Sequence, residues 1–242
     1  MSDYQSPSHH LSLIITAYNE EEALPKLVAE IIRDMAEWEQ LEIIIVDDGS
    51  TDQTSAIMKE LSQTQHQKIV IKLVYLTYNQ GMGAALKAGF KEATMPWVTF
   101  LPGDGQIEPQ MIAKLCDLAD PNTTLITSRY SNREYTPYRW LLSKGLRVFT
   151  FLIIWMHVTS EGMYLIRRDF LQALKPISDS FMLNLEIPIR VIQAHKQVKV
   201  AEIEVRDRQG GISRATQAHR IMNTFKDIIC LRWRMLIESW RS

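Results

Sequence analysis

The stretch LEIIIVDDGSTD, residues 41–52, decides the fold. Its first half, Leu41–Val46, is a short apolar run rich in β-branched side chains, which is typical of a strand buried inside a sheet. The acidic turn after Val46 ends this strand, and the residues from Thr51 to Gln63 are predicted to form a helix. A buried strand that passes through a polar turn into a helix indicates a βαβ unit.

The same alternation continues on both sides of this stretch. The sequence predicts further strands at residues 11–16, 69–76 and 97–101, and helices at residues 20–38 and 83–94. Apolar residues at three- and four-residue steps support the first of these helices. We therefore expect an α/β fold, with a Rossmann-like, mostly parallel central sheet flanked by helices.

Length and composition restrict the class of protein. The chain has 242 residues, 46% of them hydrophobic and 23% charged, which excludes a disordered or fibrous protein. Cys116 and Cys230 have no metal-like spacing, so we expect reduced thiols in a cytosolic protein. The N-terminus lacks a signal-peptide core, and the longest uncharged apolar run, Val148–Met156, is too short to span a bilayer. We expect a cytoplasmic protein whose own helices do not cross a membrane.

Charge is distributed unevenly along the chain. Residues 1–120 contain 8 basic and 18 acidic residues, a net charge of −10, whereas residues 121–242 contain 19 and 10, a net charge of +9. A basic half favours an anionic partner, either nucleic acid or anionic lipid. The alternative is that the two halves only neutralise each other within the fold.

Three polar segments directly follow predicted strands. They are TAYNEEE at residues 16–22, VDDGSTD at residues 46–52 and LPGDGQIEP at residues 101–109. Open α/β sheets bind their ligands at the carboxyl ends of the strands, so these segments are expected to form one site together.

The first two segments suit a nucleoside. Tyr18 can stack on a base and Glu20 can accept a hydrogen bond from a base or ribose group, while a carboxylate of VDDGSTD can pair with a base N–H. The alternative is local: Asn19 caps the helix that follows, and Ser50 caps the next one. For VDDGSTD both interpretations can hold at once.

The third segment suits a cation and a diphosphate. Asp104 lies between two glycines, and Asp104 and Gln106 can supply oxygen ligands to a hard cation. The alternative is an ordinary Asp-Gly turn. The G-x-G of residues 79–89 is weak evidence for phosphate binding, because Leu86 stands where a Rossmann fingerprint has its third glycine. We expect that loop to pack its helix closely on the sheet.

Arginines in the basic half suit phosphate. Arg129, Arg139 and the segment RQGGISR, residues 208–214, combine guanidinium groups with a glycine-rich, serine-containing loop. The alternative is a solvated basic face.

Taken together, these segments resemble glycosyltransferase family 2, which has the GT-A fold. More narrowly, they are similar to the dolichol-phosphate mannose synthase group and its bacterial polyprenyl-phosphate relatives. The resemblance runs from about Leu11 to Arg234. Besides the first two strand-end segments, it depends on NQGMGAALKAG at 79–89, SRY at 128–130, YRWLLSKG at 138–145 and RQGGISR at 208–214.

The resemblance implies a role for each matched residue. The nucleoside site would consist of Ala17, Tyr18, Glu20, Asp47, Asp48 and Gly103. Asp104 and Gln106 would hold Mg²⁺ or Mn²⁺ together with the diphosphate. The catalytic residues would be Asp104, Arg129 and Arg139, and the phosphate-binding residues Arg208, Ser213 and Arg214.

The chain departs from the family pattern at two places. Pro102 stands where the D-x-D motif has its first aspartate, which removes one carboxylate from the metal site and leaves metal dependence to be tested. Glu161 is inserted into the family's T-S-G-F segment, which borders the sugar and the acceptor, so the sugar is not implied.

The implied reaction is displacement at the anomeric carbon of a nucleoside-diphosphate sugar, with inversion. Family members that use a sugar hydroxyl need a general base, commonly in a Glu-Asp pair, and this sequence contains no Glu-Asp dipeptide. A lipid phosphate is already anionic and needs no strong base, so the acceptor is expected to be a polyprenyl phosphate. Glu161 or Glu186 can serve as a base in the alternative.

Two stretches are predicted to lie at a membrane surface. Residues 138–156 and 225–240 combine apolar and tryptophan side chains with basic ones, as interfacial helices do. We divide the chain into a loose N-terminus at 1–10, a GT-A domain at 11–215 and an amphipathic extension at 216–242. The protein would be peripheral on the cytoplasmic face, or use an anchoring subunit or a second copy of itself. The alternative is that these helices pack on the core or on a partner.

Three other functions stay open. One is a family 2 transferase that acts on a saccharide hydroxyl. Another is a catalytically weak subunit that binds a sugar nucleotide, which Pro102 motivates. Nucleic-acid binding is disfavoured, because the basic half has no known reader motif.

Overall fold

A computed structural model describes residues 5–8, 10–64, 68–132, 137–156, 158, 160–174, 176, 178–180, 182–207, 226–235 and 237. Side chains are described for all of these except 137–143, 146 and 147. The strands are β1 His10–Ala17, β2 Gln40–Asp47, β3 Ile69–Tyr75, β4 Trp97–Pro102, β5 Thr123–Tyr130, β6 Tyr164–Arg167 and β7 Gln197–Ile203. The helices are α1 Leu24–Asp34, α2 Thr54–Gln63, α3 Met82–Glu92, α4 Gln110–Asp117, α5 Pro137–Ile154, α6 Arg168–Leu174 and α7 Leu183–Gln193. Residues 226–235 form a further helix, called here the C-terminal helix.

The seven strands form one sheet in the order β3-β2-β1-β4-β6-β5-β7. β1 pairs in parallel with β2 and β4, β2 with β3, and β5 with β7, whereas β6 runs antiparallel to both β4 and β5. The predicted mostly parallel α/β sheet is therefore confirmed. Because β4 and β5 are both antiparallel to β6, they run in the same direction. The carboxyl ends of all strands except β6 thus lie along one edge, called here the carboxyl edge.

The main core lies on both faces of this sheet. The central strands are buried almost throughout, as parallel strands covered by helices must be. The loop-and-helix stretch at residues 79–89 packs closely, as predicted. A Cβ added to Gly89 of α3 would lie 2.6 Å from Cγ2 of Ile14 in β1, so only glycine allows this distance between helix and sheet.

A second, smaller core joins three helices. Ile154 of α5, Met182 and Ile189 of the α7 region, and Ile228 and Leu231 of the C-terminal helix are all buried in it. The sequence predicts a membrane-surface position for α5 and the C-terminal helix, with packing on the core as the alternative, and the structure buries one side of each and exposes another. A separate hydrophobic cluster therefore fixes the C-terminal helix to α5 and α7.

Candidate active site

The carboxyl edge is held together by backbone hydrogen bonds between neighbouring strand ends. The amide of Asp48 donates to the carbonyl of Ala17 at 2.8 Å, and the amide of Gly103 donates to the carbonyl of Thr16 at 2.8 Å. A Cβ on Gly103 would lie 3.0 Å from that carbonyl oxygen, which explains the glycine. The ends of β1, β2 and β4 therefore form one continuous floor.

Asn19 connects the loops that follow β1 and β2. It has a positive φ of 56°, its amide donates to Ser50 Oγ at 3.0 Å, and its Oδ1 accepts from the amide of Thr51 at 2.8 Å. The helix N-caps are instead Ala23 for α1 and Gln53 for α2, neither with a side-chain capping bond. The alternative interpretation, in which Asn19 and Ser50 cap these helices, is wrong, because both side chains join the two loops.

Further bonds between the same loops make them rigid. The amide of Glu20 donates to Thr54 Oγ1 at 2.9 Å, and the carboxylate of Glu21 accepts from the amide of Gln53 at 2.9 Å. Tyr18 and Glu20 are half-buried on this loop, and Ala17 is buried beneath them. The structure thus brings the predicted nucleoside residues together, and their role stays a prediction.

Asp47 stabilises the connection between β2 and α2. Its Oδ1 accepts from the amide of Ser50 at 2.8 Å, and its Oδ2 accepts from the hydroxyl of Ser55. The side chain is only 2% exposed. Both oxygens are engaged within the protein, so Asp47 shapes the turn that presents its neighbour Asp48.

Asp48 is buried at the N-terminus of α3. Its two oxygens accept from the amides of Gln80 at 2.7 Å and Gly81 at 2.9 Å. Burial raises the pKa of Asp48, the two amides oppose this change, and the charge of Asp47 adds to it. The carboxylate is therefore fixed in place and sits beside the positive end of a helix.

Asp104 lies two residues after the end of β4 and is 5% exposed. Its Oδ1 accepts from the amide of Gln106 at 3.1 Å, and Pro102 forms the end of β4 opposite Thr16. Within the described residues, no group of three or more acidic, histidine or cysteine side chains could hold a metal ion. One buried carboxylate with a neighbouring side-chain amide fits Mg²⁺ or Mn²⁺ only if phosphate and water supply the other ligands. Mg²⁺ in proteins is usually coordinated in this way.

Arg206 is a site residue that the sequence does not indicate. Its Nε donates to the carbonyl of Gly105 at 2.7 Å, its amide donates to the carbonyl of Gln106 at 2.9 Å, and its guanidinium pairs with Glu30 at 2.5 Å. It lies about a hundred residues beyond the loop that it contacts, in a stretch with several other charged residues. No local pattern distinguishes it, and only the pairing of β5 with β7 brings it to the carboxyl edge.

The predicted phosphate-binding arginines are only partly described. Arg129 stands at the end of β5, is 53% exposed, and forms an ion pair with Glu202 of β7. Arg139 belongs to α5, but its side chain is not among those described. Arg208, Ser213 and Arg214 lie outside the described residues. The roles of all five stay predictions.

The two acids named as alternative bases differ in position. Glu161 lies at the carboxyl edge, where its amide donates to the carbonyl of Ser128 at 2.8 Å and its carboxylate accepts from the amide of Tyr130 at 3.3 Å. Glu186 is fully buried and accepts from Arg190 Nε at 2.7 Å and the amide of Ser178 at 2.8 Å. A carboxylate without solvent access and held by an arginine is a poor proton acceptor for a substrate.

An apolar surface lies on α5, on the C-terminal helix and on residues just beyond their ends, and we call it the amphipathic face. Its exposed apolar side chains are Val148, Phe151, Leu152, Trp155, Ile229, Trp233 and Ile237. Exposed Lys144, Lys226 and Arg234 accompany them. In the part of the chain that the structure describes, every helix is too short or too polar to cross a bilayer.

The C-terminal helix is tied to the start of α3. Ser180 Oγ donates to Asp227 Oδ2 at 2.6 Å, and the neighbouring carbonyl of Asp179 accepts from the amide of Ala84 at 3.0 Å. The Asp179 carboxylate also pairs with Lys87. The C-terminal helix, which carries part of the amphipathic face, is therefore linked through residues 179 and 180 to the end of α3 that binds Asp48.

Comparison with known proteins identifies relatives of this arrangement. The sequence profile described as Glycosyl transferase family 2 matches residues 12–175. An undecaprenyl-phosphate 4-deoxy-4-formamido-L-arabinose transferase of Proteus mirabilis is 33% identical over 135 residues, which cover 55% of this chain and 41% of the relative. A protein of the same name from Pectobacterium carotovorum is 33% identical over 143 residues, covering 57% of this chain and 42% of the relative. The matched region thus spans about two fifths of the length of these relatives.

Solved structures share the fold. Glucosyl-3-phosphoglycerate synthase from Mycobacterium tuberculosis, in complex with phosphoglyceric acid, superposes with a TM-score of 0.70 at 18% identity, over 94% of this chain and 80% of that one. The same enzyme with Mn²⁺, uridine diphosphate and phosphoglyceric acid gives a TM-score of 0.70 at 16% identity, over 93% and 78% of the two chains. The GT-A fold that the sequence predicts is therefore confirmed.

Proposed function

Because the chain belongs to glycosyl transferase family 2, we propose that it moves a sugar from a nucleoside-diphosphate sugar to a polyprenyl phosphate, dolichyl or undecaprenyl, at a membrane surface. One observation carries this proposal. Hydrogen bonds join the ends of β1, β2 and β4 at one edge of the sheet, and the buried carboxylates of Asp48 and Asp104 both lie at that edge. The names of the relatives support the acceptor class.

The donor nucleoside would bind over the floor formed by Ala17 and Gly103. Tyr18 and Glu20 would contact the base and ribose, and Asp48 would accept a hydrogen bond from the base. Asp47 would act by holding the turn that presents Asp48. The rigid bonding between the two loops supports this assignment, because a pre-organised site loses little entropy on binding.

Asp104, with help from Gln106, would hold a divalent cation, Mg²⁺ or Mn²⁺, at the donor diphosphate. When bound, it would neutralise charge on the leaving nucleoside diphosphate. Arg208, Ser213 and Arg214 would bind the same phosphates. Mn²⁺ in the related synthase structures supports this use of metal in the fold.

The acceptor phosphate oxygen would attack the anomeric carbon while the bond from that carbon to the nucleoside diphosphate breaks. The bonding electrons leave with the diphosphate, and the configuration inverts. Arg129 and Arg139 would hold the acceptor phosphate, with Arg129 exchanging its pairing with Glu202 for the substrate. The phosphate is anionic at neutral pH and needs no strong base. The burial of Glu186 supports this acceptor over a saccharide hydroxyl, and Glu161 keeps the hydroxyl alternative testable.

The amphipathic face would place the site at the membrane. Exposed tryptophan and aliphatic side chains beside basic ones match the composition of helices that lie in an interface. The second core fixes the C-terminal helix to α5, so both would contact the same surface. The protein would then be peripheral on the cytoplasmic face, with the extension at residues 216–242 as its contact segment. An anchoring subunit or a second copy of the chain is the alternative partner for this face.

The test is transfer of radiolabelled sugar from UDP- and GDP-sugars to undecaprenyl phosphate in vesicles, with Mn²⁺ present. We expect a labelled lipid for one nucleotide class. A labelled product with a soluble saccharide and no lipid would favour the hydroxyl-transferring alternative. Binding of a donor without any product would favour a catalytically weak subunit, an alternative that Pro102 motivates.

A further inference from the structure

We infer that Arg206 is a positioning residue that fixes the loop bearing Asp104 in the geometry needed for the donor diphosphate and its cation. The identity of that ligand rests on the proposed function. The positioning role itself rests on the contacts of Arg206. The loop in question is residues 103–109, between β4 and α4.

This loop is intrinsically loose. Gly103 and Gly105 flank Asp104, and glycine loses more conformational freedom on folding than any other residue. The described loop also lacks the hydrogen-bond ladder of a regular element between Pro102 and Gln110. A carboxylate carried by such a segment needs an external anchor to keep one position.

Arg206, which follows β7 at the same carboxyl edge, supplies this anchor. Its Nε–H and its backbone N–H donate to two successive carbonyls of the loop, those of Gly105 and Gln106. The guanidinium also pairs with Glu30 at 2.5 Å. Glu30 belongs to α1, a helix whose apolar side is buried in the main core. The loop is thereby fastened to a rigid base.

The charges around Arg206 suit a neighbouring cation. Glu30 and Glu108 lie 2.5 and 3.7 Å from its guanidinium nitrogens. Two carboxylates around one guanidinium leave a net negative charge, so Arg206 can hold the loop without repelling a divalent ion at Asp104. The side chain is only 27% exposed, which protects these interactions from screening by salt.

The experiment compares Arg206→Ala and Arg206→Lys with Arg167→Ala in the full chain. Arg167 is the matched control, because it is a similarly exposed arginine, pairs with one acid, Asp169, and lies at the opposite end of the sheet. The probes are UDP and GDP with Mn²⁺, and UMP and GMP, which lack the β-phosphate. Amide hydrogen exchange at residues 103–108 gives a readout that does not need a ligand.

For Arg206→Ala we expect the Mn²⁺-dependent affinity for the diphosphate to fall about tenfold, as for the loss of hydrogen bonds to a charged group. Turnover should fall by roughly 100-fold, as for a reacting group displaced by about 1 Å. Exchange at 103–108 should accelerate, and affinity for the monophosphate should stay within about twofold. Both variants keep the backbone N–H bond to Gln106, and the lysine variant also keeps the positive charge, so it should recover part of each loss.

Unchanged diphosphate affinity or unchanged exchange in Arg206→Ala overturns the inference. An equal loss of monophosphate affinity also overturns it, because that result indicates a general effect on the fold. An equal effect of Arg167→Ala on diphosphate affinity and exchange overturns it as well. If the wild-type protein binds no nucleoside diphosphate at all, the proposed function is wrong and the inference falls with it.

Discussion

Replacing Trp155 and Trp233 by serine is expected to release the protein from anionic vesicles. The side chains are 78% and 68% exposed on the amphipathic face. A tryptophan can bury roughly 150–250 Å², so about 100–200 Å² of each is available to a membrane. At about 25 cal/mol per Å², full burial would contribute roughly 2.5–5 kcal/mol for each side chain. Because an interfacial helix inserts only partly, we take about 2 kcal/mol for each, or roughly a 1,000-fold loss of affinity for the pair.

Co-sedimentation with vesicles that contain phosphatidylglycerol measures this loss. Val148→Ser and Val70→Ser form a matched pair, because the two valines are 51% and 56% exposed, on α5 and on the edge strand β3. We expect Val148→Ser to bind the vesicles more weakly than the wild type and Val70→Ser to bind them as the wild type does. A double tryptophan variant that binds as tightly as the wild type refutes the membrane assignment. Equal losses in the two valine variants refute the assignment of the face.

Three further predictions concern the carboxylates. Asp104→Ala should abolish turnover in the transfer assay with little change in thermal unfolding, and near-normal turnover would contradict the metal assignment. Asp48→Asn replaces one acceptor oxygen of this buried side chain by an NH₂ group that faces a backbone N–H, at a cost of about 1–3 kcal/mol, so its Tm should fall by roughly 2–12 °C in calorimetry; an unchanged Tm would contradict the bonds to Gln80 and Gly81. Burial favours a higher pKa for Glu42, but Lys72, Ser12 and Thr94 together outweigh it and the pKa is lowered from its ordinary value of 4.5. A lowered pKa gives stability that is present above pH 4.5 and is lost as the pH falls through the folded-state pKa. Glu42→Gln should therefore flatten this acid loss in urea unfolding, and an unaltered pH profile would count against the network.

The fold of the first half could be predicted almost residue by residue. Strands β1 to β4 begin and end within one residue of their predicted bounds, because each is a continuous apolar run closed by a polar turn. The first helix is shorter than predicted, α1 Leu24–Asp34 instead of residues 20–38, since residues 19–21 bond to the loop after β2. The second half was less predictable. The four-residue strand β6 is too short for a pattern, and its antiparallel insertion between β4 and β5 depends on tertiary contacts.

Only part of the candidate site could be predicted from the sequence. The strand-end residues Tyr18, Asp48 and Asp104 could be selected from sequence, because a parallel sheet places all such ends on one edge. Asn19 could not be interpreted from sequence, since its bond to Thr51 crosses between loops. Arg206 could not be found either, because its partners come from loops and helices distant in the chain. Sequence pattern thus locates the strand-end residues of the candidate site but not the groups that hold them in place.

The strand order has a consequence for synthesis on the ribosome. The first four strands occupy adjacent positions, β3-β2-β1-β4, so they can pair as soon as they emerge. The other side of β4, however, stays unpaired until β6 has been synthesised, and the last residue of β6 comes 65 positions after the last residue of β4. At about 5–20 residues per second, this side stays uncovered for roughly 3–13 seconds. An unpaired, apolar strand edge is a template for aggregation, so this interval is when the nascent chain most needs a chaperone.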